Sequence, residues 1–200
     1  MVIENLTLHN FRNYEDETFA FDAGLNVLTG RNAQGKTNCA EAVFYLCTGT
    51  SLRIRHDRQL IRRGETSARI AAKAHTRFGS VTLEAVIFEN KRELFVNGNK
   101  VTKAADFVGN MNCVFFSPGE LRLLQDCPDE RRRFLNLSIS QTAREYCTAL
   151  ARYQRILDQR NNLLKERDVS LVLETLPVWD EQLAVYAARI VRHRRRYLSE

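Results

Sequence analysis

Residues 30–37 read Gly-Arg-Asn-Ala-Gln-Gly-Lys-Thr, which is G-x-x-x-x-G-K-[ST] without a mismatch. No other feature limits the fold as strongly, because each fixed position has a task on a phosphate chain. Gly30 and Gly35 let the backbone turn tightly and bring its N–H groups against phosphate. Lys36 places a point charge on the β- and γ-phosphates, and the Thr37 hydroxyl is a ligand for Mg²⁺. A helix starting near Gly35 adds its N-terminal dipole to the anion site.

With glycine at about 7% of residues, four fixed positions arise by chance in roughly one chain in a hundred of this size. The flanking residues sharpen the match. Leu25-Asn26-Val27-Leu28-Thr29 is a short β-type run directly before the loop, and Asn38 to Leu46 directly after it reads as a helix. Strand, loop and helix is the order the motif requires. The cofactor site expected from it is Gly30, Arg31, Asn32, Ala33, Gln34, Gly35, Lys36, Thr37 and Asn38, with ATP and Mg²⁺ as cofactors and Thr37 on the metal.

The 200 residues are 44% hydrophobic and 27% charged, enough for one real core, or for one domain with an excursion. The net charge of +6 permits a polyanionic partner. Cys39, Cys47, Cys113, Cys127 and Cys147 include no C-x-x-C pair, and the four histidines form no H-x-x-x-H pair. Neither a zinc site nor a disulfide framework is expected, and the thiols suit a reducing compartment. MVIENLTLHN lacks the apolar run of a signal peptide, and no apolar stretch approaches membrane-spanning length, so a cytoplasmic, membrane-free protein is expected.

Period-two patterns over residues 2–11 and 14–21 predict two strands before the phosphate loop. A β-rich stretch follows, with strands over 69–76, 81–88 and 93–96, an Asn97-Gly98 type I′ hairpin, and a further strand over 112–116. From Glu120 the pattern turns helical. Pro128, Asp129 and Glu130 mark a helix start. Residues 143–166 keep a 3–4 apolar spacing, 168–177 read as a break, and 178–198 are helical again, together an antiparallel hairpin. The last residues stop inside a helical pattern without a cap, which suggests truncation, with a frayed terminal helix as the alternative.

Hydrolysis needs more than a phosphate loop: an acid after an apolar core strand holds the metal and orients water. Ala85-Val86-Ile87-Phe88-Glu89 is the one run with that form, but Thr82, Glu84 and the Asn97-Gly98 turn put it in an antiparallel hairpin. There is also no second glycine-rich segment of the Ser-Gly-Gly type. No catalytic residue is therefore assigned.

Phe11-Arg12-Asn13-Tyr14, followed by G-x-N-x-x-G-K-T-N from Gly30 to Asn38, resembles the ATP-binding heads of the SMC and Rad50-like group. Phe116-Ser117-Pro118, Pro128 to Leu135, Ile139-Ser140-Gln141, Gln159 to Lys165 and Trp179 to Leu183 narrow the resemblance to the RecF family of bacterial DNA replication and repair proteins, over essentially the whole chain. The resemblance implies an α/β fold, a P-loop ABC-type ATPase head half with an antiparallel β subdomain. A helical second lobe with an antiparallel helix hairpin completes it. Residues 1–118 would be the N-terminal part of the head and 119–200 the second lobe, with the metal-holding acids and signature motif further downstream.

The family also implies an ATP-dependent homodimer that binds DNA, acts with RecO and RecR to direct RecA onto gapped DNA, and supports the SOS response. It places Arg12 and Asn13 at the nucleotide's edge, whereas the residues alone read equally as a polar turn between strands. Many family loops carry glycine where this chain has Ala33, and alanine resists a positive φ. The arginine run Arg53, Arg55 and Arg58, and the run Arg189, Arg192 and Arg196, suit either DNA phosphates or solvated faces. Two alternatives to the RecF reading are a non-catalytic nucleotide- or DNA-binding fragment and a small P-loop kinase. The two strands before the loop and the long helical hairpin argue against the kinase.

Overall fold

The computed structural model describes residues 1–54, 56–117 and 128–199. They fall into two compact units, Met1–Ser117 and Pro118–Glu200.

The first unit is built on an antiparallel sheet of six strands in the order β2-β1-β3-β4-β5-β6. The strands are β1 (Val2–Phe11), β2 (Tyr14–Ala20), β3 (Ser67–Thr76), β4 (Gly79–Phe88), β5 (Arg92–Val96) and β6 (Asn99–Val101). Alternation decides which face is buried. Leu6 and Leu8 of β1, Ala68, Ile70, Ala72 and Ala74 of β3, and Leu83, Ala85 and Ile87 of β4 all lie at or below 1% exposure. Helix α1 (Lys36–Thr48) packs on β3 and β4, and Tyr45, Leu46 and Ala42 enter the same core. The alanines of β3 leave room for the helix to approach. The opposite face is polar, with Arg69 of β3 bonded to Glu84 of β4 at 2.6 Å.

Register follows from turn chemistry. Asn97 and Gly98 have φ of 51° and 78°, the left-handed pair that a type I′ turn requires, and Val96 pairs with Asn99 across it. β2 is an edge strand whose Glu15, Asp16 and Glu17 discourage a further chain from pairing there. A short helix α2 (Ala104–Phe107) sets Phe107 into the core.

The second unit contains α3 (Pro128–Thr142), α4 (Arg144–Leu163) and α5 (Val169–Ser199). α3 opens on Pro128, with Asp129 and Glu130 in its first turn, as expected of a proline and acids at a helix start. α4 and α5 form the antiparallel hairpin around Ile139, Tyr146, Ala149 and Ile190. A half-buried polar cluster of three residues ties the three helices together. Tyr146 donates to Asn136 Oδ1 at 2.6 Å, and Arg194 donates to the same oxygen at 2.8 Å.

Three local expectations are corrected. Residues 25–29 form no strand: none of the six strands pairs with them, and Leu25 and Val27 are 89% and 69% exposed. β-propensity needs a ladder to act on, and no described strand offers one. Residues 112–116 are likewise not a strand, although Phe115 packs edge-on against Phe44 of α1 at 5.8 Å. The break expected over 168–177 lies earlier, at residues 164–168 between α4 and α5, and α5 continues through Pro177. Its start is set instead by Asp168, whose Oδ1 accepts from the N–H of Ser170 and Leu171. Those two bonds hold the Asp168 carboxyl below its usual range.

Leu83 is fully buried between the sheet and α1. Leu83→Ala should cost about 2–5 kcal/mol of unfolding free energy. Urea titration followed by circular dichroism measures it, and a loss well under 1 kcal/mol would contradict this core.

Candidate functional site

The loop 30–35 enters α1 through backbone geometry that few residues tolerate. Gly35 has φ of +102°, and a Cβ there would sit 2.7 Å from the ring of Tyr14. Both conformation and space therefore demand glycine. Ala33 is held at φ +67°, so an alanine occupies a left-handed position, at a cost of about 1–2 kcal/mol. This matches the expectation that alanine is strained where related loops have glycine.

Lys36 curls back over the loop, its Nζ donating to the carbonyls of Gly30 at 2.6 Å and Arg31 at 2.7 Å. The ammonium is thus fixed above the loop, not swinging in solvent. Thr37 is exposed in the first turn of α1, and its hydroxyl makes no hydrogen bond among the described residues. No acidic residue occupies that first turn, so nothing there opposes an anion. Asn13, Asn32, Gln34, Asn38 and Arg53 complete an open cleft of about 380 Å³ around the loop. Cys39, next along the helix, is buried, and burial pushes its thiol up to about 11.

One residue central to the site was not anticipated. Glu41 lies on α1, 1% exposed, and its carboxylate gathers the surrounding segments. Arg12 donates to it twice, from Nε at 3.0 Å and Nη2 at 2.8 Å. Ser51 Oγ donates at 2.5 Å, and the Arg53 guanidinium stands 3.7 Å away. The signal available in the sequence was a lone acid among Ala40, Ala42 and Val43, on a helix face otherwise bound for the core. Such an acid needs a cation, and Arg12 supplies it.

The two edge residues implied by family resemblance therefore do different things. Arg12, in a left-handed turn at φ +56°, spends its guanidinium on Glu41 and on the carbonyl of Gln59. Asn13 faces the cleft, and its Oδ1 accepts from Asn38 Nδ2 at 2.7 Å.

The arginine run does not form one patch. Arg53 belongs to the rim of the phosphate loop, donating to Asn38 Oδ1 at 3.0 Å. Arg58 is exposed in a separate 3₁₀ turn at Asp57–Leu60. Arg55 lies outside the described residues. At the start of that turn, Asp57 accepts from Tyr45 at 2.8 Å and from Arg92 at 2.9 Å, which fastens β5 to the far end of α1. Burial raises the Tyr45 phenol well above its ordinary value, so it acts as a neutral donor. Glu89 follows β4, which pairs antiparallel on both sides, as expected of a hairpin residue. Among the described residues, no cluster of three or more His, Cys, Asp or Glu could hold a metal, and no helix is long and apolar enough to cross a membrane.

The phosphate loop and its helix, set beside an antiparallel sheet, define a nucleotide-phosphate-binding class. The chain belongs to the AAA domain family, whose model matches residues 5–184. Its whole length is similar to DNA replication and repair protein RecF of Geobacillus thermodenitrificans, at 41% identity, and of Alkaliphilus oremlandii, at 38%. In both cases the match covers 54% of the relative, so the chain spans about half the length of the curated relatives it matches.

Among solved structures, the recombination mediator protein RecF with ATP, in the RecFOR pathway, superposes with a TM-score of 0.90 at 30% identity. That superposition covers 99% of this chain and 54% of the other. An Smc head domain from Pyrococcus furiosus, at TM-score 0.54 and 17% identity, shares the fold alone. The ABC-type head half expected from the sequence is thus the fold observed, with its antiparallel sheet and helical lobe.

Removing the Glu41 carboxylate leaves Arg12 without its partner. Glu41→Ala should destabilise the first unit by about 3 kcal/mol, and Glu41→Gln, which keeps the shape, by less. Denaturant midpoints of both variants test this, and an Ala variant as stable as the parent would contradict the Glu41 tie.

Proposed function

We propose that this chain is the nucleotide-binding portion of an ATP-dependent DNA-binding protein of replication and repair. The observation that carries the reading is the loop itself. Gly35 is sterically required, Lys36 is held over the loop, and Thr37 is left free at the start of α1. The names of its full-length matches supply the biological setting.

The backbone N–H groups of residues 31–36 would bind the phosphates of ATP, with Lys36 neutralising the terminal charge. Thr37 would hold Mg²⁺, which would supply further neutralisation of the phosphate charge. Asn13, Asn38 and Arg53 would bound the nucleotide, while Arg12 acts through Glu41 by fixing the rim. The residues fit this cofactor pair: the cleft is open, its floor is basic, and no first-turn acid competes with phosphate.

The whole protein, as for the RecF family, would form an ATP-dependent homodimer on gapped DNA, work with RecO and RecR to direct RecA, support the SOS response and reside in the cytoplasm. A second reading, a non-catalytic binding unit, is favoured by one observation. Among the described residues no acid follows a parallel strand beside the loop, since all six strands are antiparallel.

Two outcomes are expected. Lys36→Ala should weaken ATP binding about 10- to 100-fold or more, the worth of one charge-assisted contact of about 1.5–3 kcal/mol, while the circular dichroism spectrum is unchanged. A fluorescent-ATP titration reads this, and equal affinities would remove the phosphate-loop assignment. The chain alone should also bind ATP·Mg²⁺ yet release phosphate negligibly. Steady-state turnover that disappears in Lys36→Ala would show instead that the chain contains its own water-orienting acid.

A further inference from the structure

The second unit has a feature that the phosphate loop leaves unused. A groove of about 830 Å³ runs between α4 and α5, lined by Arg144 and Arg152 from one helix and Arg189, Arg192 and Arg196 from the other. Glu145 is the one acid in its lining. The spacing is helical on both walls. Arg144 and Arg152 stand eight residues apart with Thr148 between them, and Arg189, Arg192 and Arg196 recur at three and four. Each wall thus carries a straight cationic stripe.

Three arginines elsewhere in this unit are matched with acids. Arg160 pairs with Asp180 at 2.5 Å, Arg132 with Asp129 at 2.5 Å, and Arg133 with Glu130 at 3.8 Å. In the groove, Arg152 and Arg192 are exposed and make no ion pair among the described residues. Arg189 lies over the ring of Tyr186, 5.4 Å from its centroid, which holds that guanidinium in the groove without neutralising it. Like charges gathered in one groove repel, and an anion among them relieves that repulsion.

We propose that this groove binds the phosphodiester backbone of duplex DNA. The inference rests on the reading of the chain as a DNA-acting protein and names where that contact falls. The dimensions suit the ligand. Each stripe covers seven or eight residues, about 10–12 Å at about 1.5 Å per residue, and one DNA strand offers a phosphate per about 3.4 Å of axis. About three successive phosphates therefore lie against a stripe. Arginine suits the role through its weak hydration and its fork of donors. The contacts proposed are to phosphate oxygens, which position a duplex without reading its sequence.

The test is duplex binding by the chain across a salt series, comparing two triple variants of equal charge. One is Arg152→Gln, Arg189→Gln and Arg192→Gln in the groove. The other is Arg131→Gln, Arg155→Gln and Arg195→Gln, which are exposed but outside it. Circular dichroism confirms that both are folded. The groove variant should lose up to about 2 to 3 units of the logarithmic salt slope, and about tenfold or more in affinity near 0.1 M salt, while the control loses less than about 1 unit. Equal losses in the two variants, or an unchanged slope in the groove variant, would overturn the groove while leaving DNA binding standing. A parent chain that binds no duplex at any salt concentration would overturn the DNA-binding reading, and the groove with it.

Discussion

The first unit depends on one buried carboxylate. Glu41 sits on the helix that carries the phosphate loop, and two other segments hold to it: the β1–β2 turn through Arg12, and the chain after α1 through Ser51 and Arg53. An isolated buried charge is costly, so the carboxylate can persist only with its partners in place. That requirement fixes the turn at Arg12 in its left-handed conformation and brings neighbouring Asn13 to the cleft. It also holds Arg53 near Asn38. The cleft around the loop is thus assembled from distant parts of the chain by a group that does not itself line it.

The loop has a second, independent constraint. Tyr14 packs where a side chain on residue 35 would be, and its ring meets Phe19 edge-on at 5.6 Å. The β1–β2 hairpin is therefore both a sheet element and a wall of the site. This explains why two strands come before the phosphate loop: they build the surface against which the loop closes. The helical unit has a polar centre of its own. Its polar pair of Tyr146 and Asn136, joined by Arg194, organises the three helices separately.

Much of this was legible in the sequence, for physical reasons that differ by element. β1, β3 and β4 alternate cleanly because one sheet face is buried, and Asn97-Gly98 fixes the hairpin through its positive φ values. The phosphate loop was readable because its constraints are local and stereochemical. Residues 25–29 misled because apolar content marks a strand only where a ladder exists to receive it. The break read over 168–177 falls earlier, because Asp168 caps the start of α5 and the helix then continues through Pro177. Glu41 was missed because its partners lie 29 and 10 residues away, and no local pattern encodes such a contact. Arg53 read as part of a charge run until its position beside Asn38 separated it from Arg58.

The central claim is that residues 30–38 form a preassembled phosphate cradle held in place from behind by Glu41. Hydrogen exchange of the chain with and without ATP·Mg²⁺, read peptide by peptide, tests it most directly. Slowed exchange is expected over residues 30–38 and over the rim at residues 12–14 and 51–54, with β3 and β4 unchanged. Identical exchange over residues 30–38 at saturating nucleotide, or protection spread evenly over the whole sheet, would contradict it.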